Sequence, residues 1–235
     1  LFEREHHLRI ALILQSLDAE TLAQRGCFFG GGTAIVLSHG EYRESLDIDF
    51  LVSDLAGYRD LRHSITGQGG IHTILRPNSE LTLAREVRSD QYGIRTMFVA
   101  GGTQIKFEIV HEGRIALETP SFTDRICGVT TLTSLDMGTT KLLANSDRWS
   151  DDAVFSRDLI DLAMLKLPRS LLTQAIAKAT LAYGDSIERD LEKAIQSLKS
   201  RSHRLDECMK ALRMDSVPKA ILWERIRKLK TTFRD

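Results

Sequence analysis

A mixed α/β domain followed by an all-helical bundle is the architecture this sequence predicts, and three observations carry it. Apolar runs of strand length alternate with helical stretches up to about residue 127. Gly101 and Gly102 separate two of those runs, a tight hairpin signal because both positions can take positive φ. Beyond about Thr130 only stripes of helical period occur. The chain has 235 residues, enough to bury the cores of two small domains. They are placed at residues 1–127 and 128–235, with the boundary between Pro120 and Thr133.

Leu8, Ala11, Leu12, Leu14 and Leu17 predict an amphipathic opening helix running to about Gln24. Cys27-Phe28-Phe29 is a short apolar run broken by Gly30-Gly31-Gly32, and a brief helix over 33–38 follows. Ile48, Phe50, Leu51 and Val52 predict a buried strand, and residues 94–100 and 104–110 predict two more. In the second half Phe155, Leu159, Leu162 and Ala163 recur at helical spacing. So do Leu172, Ala175, Ile176 and Ala179, then Ile187, Leu191, Ala194, Ile195 and Leu198, then Leu205, Cys208, Met209 and Leu212. A last helix is expected with Ser216 as N-cap and Pro218 in its first turn, where a missing N–H costs little.

Composition excludes several classes. Apolar content of 42% and charged content of 27% are ordinary globular values, which removes disordered, collagen-like and coiled-coil chains. No apolar run approaches the roughly 20 residues that span a bilayer. The segment Glu3-Arg4-Glu5-His6-His7 is charged and lacks the apolar core of a signal peptide. Cys27, Cys127 and Cys208 are far apart, form no CxxC pair and read as buried small hydrophobes, so a reduced, cytoplasmic protein is expected. Formal charge is zero, but it is unevenly spread. Residues 1–198 hold 21 Lys+Arg against 27 Asp+Glu, whereas residues 199–235, Arg234 included, hold 11 against 5. The basic end reads either as a phosphate-neutralising surface for RNA, to be tested by removing residues 215–235, or as a solvated helix face.

Chemistry is concentrated in one place. Of five acidic pairs spaced i, i+2, four fall in helical stretches, where such residues diverge. Only Asp47 and Asp49 lead into a buried strand, where i and i+2 share a face. Two carboxylates so placed repel unless a cation lies between them, and Mg²⁺ takes oxygen ligands while keeping substrate phosphates. Upstream, Phe28 to Thr33 reads as a strand, a glycine turn and a helix start, a shape in which free backbone N–H groups and the Thr33 hydroxyl meet a phosphate. The histidines show no metal-ligand spacing: His6-His7 is terminal and the other five are scattered. No GxSxG elbow, HExxH or complete Walker A occurs.

Gly31-Gly32-Thr33 followed by Arg43-Glu44-Ser45-Leu46-Asp47-Ile48-Asp49-Phe50 resembles the signature of the nucleotidyltransferase-fold superfamily. Within it, the string is similar to the AbiEii-type nucleotidyltransferase toxins of bacterial toxin–antitoxin systems, whose pattern is GG[ST], a helix, then R-x-S-x-D-h-D-h. Lys141-Leu142-Leu143-Ala144 with Arg148 resembles that family's K-L-x-A-x-x-x-R helix, and Arg157-Asp158-Leu159-Ile160-Asp161-Leu162 its R-D-x-x-D-L helix. The likeness covers residues 30–162. It implies a mixed sheet with flanking helices and an NTP-dependent transferase using Mg²⁺ or Mn²⁺. Asp47, Asp49 and a third carboxylate would be the metal ligands. Phe107-Glu108-Ile109 matches the third position, with Glu86 as a competitor. Gly31, Gly32, Thr33, Arg43, Ser45, Lys141, Arg148 and Arg157 would bind the nucleotide, and Lys141, Asp158 and Asp161 would join the catalytic set. Lys141 and Arg148, seven apart, share a helix face, and Arg157 and Asp161 have the i, i+4 spacing of an ion pair. The implied acceptor is RNA, a tRNA 3′ end above all, and the implied partner a cognate antitoxin. A protein hydroxyl as acceptor, or a nucleotide-binding member without turnover, stays open from sequence.

Overall fold

The computed structural model describes residues 2–230. The chain divides into two compact units. The first holds the described residues up to Ser38 together with Ser45–Thr133, and the second holds His39–Glu44 and the described residues from Ser134 onward. No helix among the described residues is long and apolar enough to cross a membrane.

In the first unit the expected opening helix is two, α1 (Glu5–Ser16) and α2 (Ala19–Gln24). Leu17 is extended, and the Asp18 carboxylate accepts the Thr21 N–H at 3.0 Å, capping α2 and separating it from α1. There follow β1 (Cys27–Gly30), α3 (Gly31–Ser38), β2 (Ile48–Val52), α4 (Leu55–Thr66), β3 (Thr82–Ser89), β4 (Gly93–Ala100) and β5 (Thr103–His111). The five strands make one sheet in the order β1-β2-β5-β4-β3. Only β2 and β5 are parallel, so the sheet is mixed. Gly101 and Gly102 take φ of +54° and +74° in the β4–β5 hairpin, as their sequence predicts. One face is closed by a file of aromatic rings, Phe29 on Phe50, Phe50 on Phe107 and Phe107 on Phe98, at 5.2–5.6 Å between centroids.

Among the elements of this unit without a sequence prediction are α4 and β3. The helix α4 carries the buried stripe Tyr58, Leu61 and Ile65 and is capped by Asp54, whose carboxylate accepts the Gly57 N–H at 2.6 Å. The edge strand β3 has no buried residue and shifts register twice against β4, which destroys the period-2 pattern. The first unit runs to Thr133, the far end of the range expected for the boundary. Val129–Thr130 (β7) pairs with Arg125–Ile126 (β6), Thr131 bridges to Phe29, and the Leu132 N–H donates to the Phe29 carbonyl at 2.9 Å.

The second unit is α-helical: α5 (Ser134–Arg148), α6 (Arg157–Met164), α7 (Arg169–Tyr183), α8 (Ser186–Ser200), α9 (Arg204–Ala211) and α10 (Lys219–Lys230). The stripes expected for α7 and α8 are buried, as are Leu205 and Cys208 of α9. Phe155 falls outside α6, because it and Ser156 adopt left-handed φ of +52° just before the helix. Pro218, not Ser216, stands at the entry to α10, and its carbonyl accepts the Leu222 N–H at 3.1 Å. Cys127 is only partly buried, unlike Cys27 and Cys208. Arg234 lies outside the described residues.

Candidate active site

The glycine turn joins β1 directly to α3, and Gly30 pairs with Asp49 across the antiparallel β1–β2 ladder. Gly31 has φ +66°, and a Cβ there would stand 2.5 Å from Asp49 Oδ2. The Asp49 carboxylate therefore rests against the glycine backbone at the head of α3, in space that any larger residue would fill.

The loop entering β2 is braced by a chain of hydrogen bonds. The Thr33 hydroxyl donates to the Asp47 carbonyl at 2.5 Å, and the Ser45 hydroxyl lies 2.8 Å from Thr33 Oγ1. Thr33 has one proton, so Ser45 is the donor of the second bond. The Ser45 N–H in turn donates to His7 Nε2 at 3.0 Å. His7 is fully buried, and accepting at Nε2 requires its proton to be on Nδ1 when neutral. Its neighbour His6 bonds through Nε2 to the Leu46 carbonyl at 3.0 Å. The His6-His7 pair, terminal in sequence, thus holds the loop that presents Asp47. A spacing of 38 residues between His7 and Ser45 leaves no local signal of it.

Glu108 on β5 is the register partner of Asp49 on β2, so both side chains leave the same sheet face. Glu86 lies on β3, two strands further from β2. Glu108 bonds Arg95 Nε at 2.5 Å and Lys106 Nζ at 2.6 Å. Burial opposes its charged form, but Lys106 and Arg95 outweigh that and hold the carboxyl below its usual range. Lys106 is raised by Glu108 and, more weakly, by Asp49 and Asp47, against the effect of its own burial. Among the described residues no three His, Cys, Asp or Glu side chains come together in a metal-binding arrangement. Asp47 and Asp49 are hard oxygen donors beside a glycine turn, which suits Mg²⁺. Glu108 is engaged by two cations and does not complete a set of three.

The remaining site residues assemble within the second unit. Arg43 grips Asp161 with two parallel bonds, Nε to Oδ1 at 2.7 Å and Nη2 to Oδ2 at 2.8 Å. The Tyr42 hydroxyl donates to the same Oδ1 at 2.7 Å. Lys141 Nζ sits 2.8 Å from Asp161 Oδ2 and 2.9 Å from Asp158 Oδ1. Arg148, further along α5, forks onto Asp158 at 2.7 and 2.9 Å. All but Arg148 are buried. Burial disfavours both aspartates' charged forms. Lys141 and Arg148 override it for Asp158, and Arg43 and Lys141 for Asp161, so both carboxyls lie below the usual carboxylate range, Asp158 well below it. Lys141 is raised because those carboxylates outweigh its desolvation. Three cations face two anions, leaving one surplus positive charge with its solvent-facing end at Arg148. The i, i+4 pair expected between Arg157 and Asp161 does not form. Asp161 points into the unit's interior, where Arg43 and Lys141 saturate it. Gly32 follows Gly31 in the first turn of α3, where the helix N–H groups are free of intrahelical partners.

The chain matches, over residues 12–229, the family described as "Nucleotidyl transferase AbiEii toxin, Type IV TA system". No curated protein matches it. Solved structures that share its fold include two from one organism. A putative nucleotidyltransferase from H. pylori has 16% sequence identity and a TM-score of 0.50, covering 96% of this chain and 93% of that one. JHP933 from Helicobacter pylori has 15% identity and a TM-score of 0.50, covering 98% and 94%.

Proposed function

This chain belongs to the AbiEii family of nucleotidyl transferase toxins of type IV toxin–antitoxin systems, and from that premise we propose that it transfers a nucleotide from an NTP to an RNA hydroxyl, on a tRNA above all. The observation that carries the reading is the seat of Asp49 against Gly31, with Asp47 held alongside through Thr33, Ser45 and His7. A divalent ion, Mg²⁺ or Mn²⁺, would be held by Asp47 and Asp49, and when bound it neutralises triphosphate charge and activates the attacking hydroxyl. The free N–H groups of Gly31 and Gly32 at the head of α3 suit the phosphates. Thr33 and Ser45 spend their hydroxyl protons within the loop, so their part is to keep Asp47 in place. The acceptor oxygen bonds to the α-phosphorus as pyrophosphate departs, and its proton leaves to solvent. Within the second unit, Lys141, Arg148 and Arg43 form a cationic cluster with one positive charge to spare. Asp158 and Asp161 orient those cations. A cognate antitoxin, as the family's system implies, is a separate chain.

Asp49→Asn keeps the side chain's shape and removes its charge. It should lower transfer of labelled nucleotide from NTP to total tRNA by at least about 100-fold, with an unchanged thermal melt. Full activity in this variant would remove Asp49 from the reaction. Label entering cell protein but not RNA would replace the acceptor, and NTP binding without pyrophosphate release would mark a member that binds without turnover.

A further inference from the structure

A groove of about 880 Å³ opens in the first unit, where α4, the β3–β4 turn and the end of β5 meet. Its wall includes Glu108, and around it stand Arg59 and Arg62 of α4, Arg95 of β4, Arg114 beyond β5 and Tyr92 of the turn. Arg59 and Arg62, three apart on one helix face, are exposed and have no carboxylate partner among the described residues. Arg114 is paired with Glu112, and Arg95 with Glu108 and Asp90. Tyr92 is 64% exposed, yet its backbone is fixed by an N–H bond to the Asp90 carboxylate at 2.7 Å. The groove therefore offers two uncommitted guanidinium forks and one anchored, open aromatic ring beside the carboxylate that faces Asp49.

We propose that this groove holds the acceptor as a short single-stranded RNA segment. Its phosphates lie on Arg59 and Arg62, and one of its bases stacks on Tyr92. Guanidinium forks match phosphate oxygens in pairs, and an open phenol ring stacks any base without regard to sequence. An aromatic ring among the cations favours a nucleic acid over a purely acidic polypeptide, which has no base to stack. The C-terminal helices offer less. Arg201, Arg204, Arg213, Lys219, Lys228 and Lys230 are each paired with a carboxylate of their own unit. The proposal rests on the nucleotidyl-transfer reading for its choice of acceptor.

The test uses the full chain and a fluorescein-labelled 12-nucleotide single-stranded RNA with a free 3′ hydroxyl. Arg59→Ala/Arg62→Ala should weaken RNA binding about tenfold in anisotropy and reduce the slope of log affinity against log salt by about 1.4. NTP binding and the thermal melt should stay as in the unaltered chain. Tyr92→Ala should weaken binding severalfold while Tyr92→Phe should not, which separates stacking from a loss of fold. Unchanged RNA affinity in the arginine variant would overturn the proposal. So would a fall in NTP affinity, which would make the groove a donor site, or binding of polyglutamate in preference to RNA. The two readings fail separately. RNA bound through these residues without nucleotide transfer would leave the groove standing and remove the reaction. Transfer with an unchanged KM for RNA in the arginine variant would do the reverse.

Discussion

Asp161 illustrates how a single buried charge organises its surroundings. It is fully buried and accepts bonds from Arg43, Tyr42 and Lys141. A buried ion pair adds little net stability over an apolar replacement, but removing one partner strands the others. Asp161→Asn should therefore destabilise the chain by roughly 3–5 kcal/mol, read from urea unfolding. The same residue sets a pH dependence. Asp158 and Asp161 titrate in the folded chain below their unfolded value of about 3.9. Their contribution is thus fully present above that value and is lost as pH falls through the lower folded values. Asp161→Asn should flatten the fall in stability below about pH 4, and an unaltered acid limb would deny the pair this role. Residue types foreshadowed this cluster and spacing misassigned it. Arg157 and Asp161 had the helical spacing of a pair, but Arg43, 118 residues away in sequence, took the position.

At the level of elements, the β1–α3 turn couples backbone conformation to the site. Gly31→Ala would meet a left-handed φ penalty of about 1–2 kcal/mol and also press on Asp49. At Gly102, with φ +74°, an added methyl would find no atom within 4 Å, so Gly102→Ala carries the strain without the contact. Gly102→Ala should lower the melting temperature less than Gly31→Ala and leave transfer intact, whereas Gly31→Ala loses most of its transfer activity. Equal activity would mean that the seat of Asp49 is dispensable. The strands nearest this turn were legible because period and punctuation agree: β2 is apolar at four of its five positions, and β4 and β5 flank two glycines. The helix α4 carried a legible stripe of Tyr58, Leu61 and Ile65 that the strand-rich context obscured. The strand β3 was not legible, because its two register shifts and exposed edge leave no alternation to detect.

For the whole molecule, the division of charge between the chain's two ends has a more local meaning than its sum suggests. The basic residues beyond 198 mostly neutralise carboxylates of the second unit, among them Asp152, Asp206 and Glu192. Leu222, Ile226 and Leu229 of α10 are buried, so removing residues 215–235 takes away core as well as charge. That truncation should lower the melting temperature clearly in differential scanning fluorimetry, whereas Lys199→Ala/Arg227→Ala, on exposed side chains, should leave it unchanged and alter RNA affinity less than about twofold. A large loss of affinity in the point variant would return the RNA surface to the helical end.

The order of an α/β unit before a helical one, the glycine turn and the acidic pair at 47 and 49 were all readable from the chain alone. Each depends on periods of two or 3.6 residues, or on turn chemistry within a few positions. Which charges meet was settled only by folding: Arg43 with Asp161, Arg95 and Lys106 with Glu108, His7 with the backbone of Ser45. A side chain's partner depends on distance and desolvation in three dimensions, and neither is encoded in the spacing along the chain.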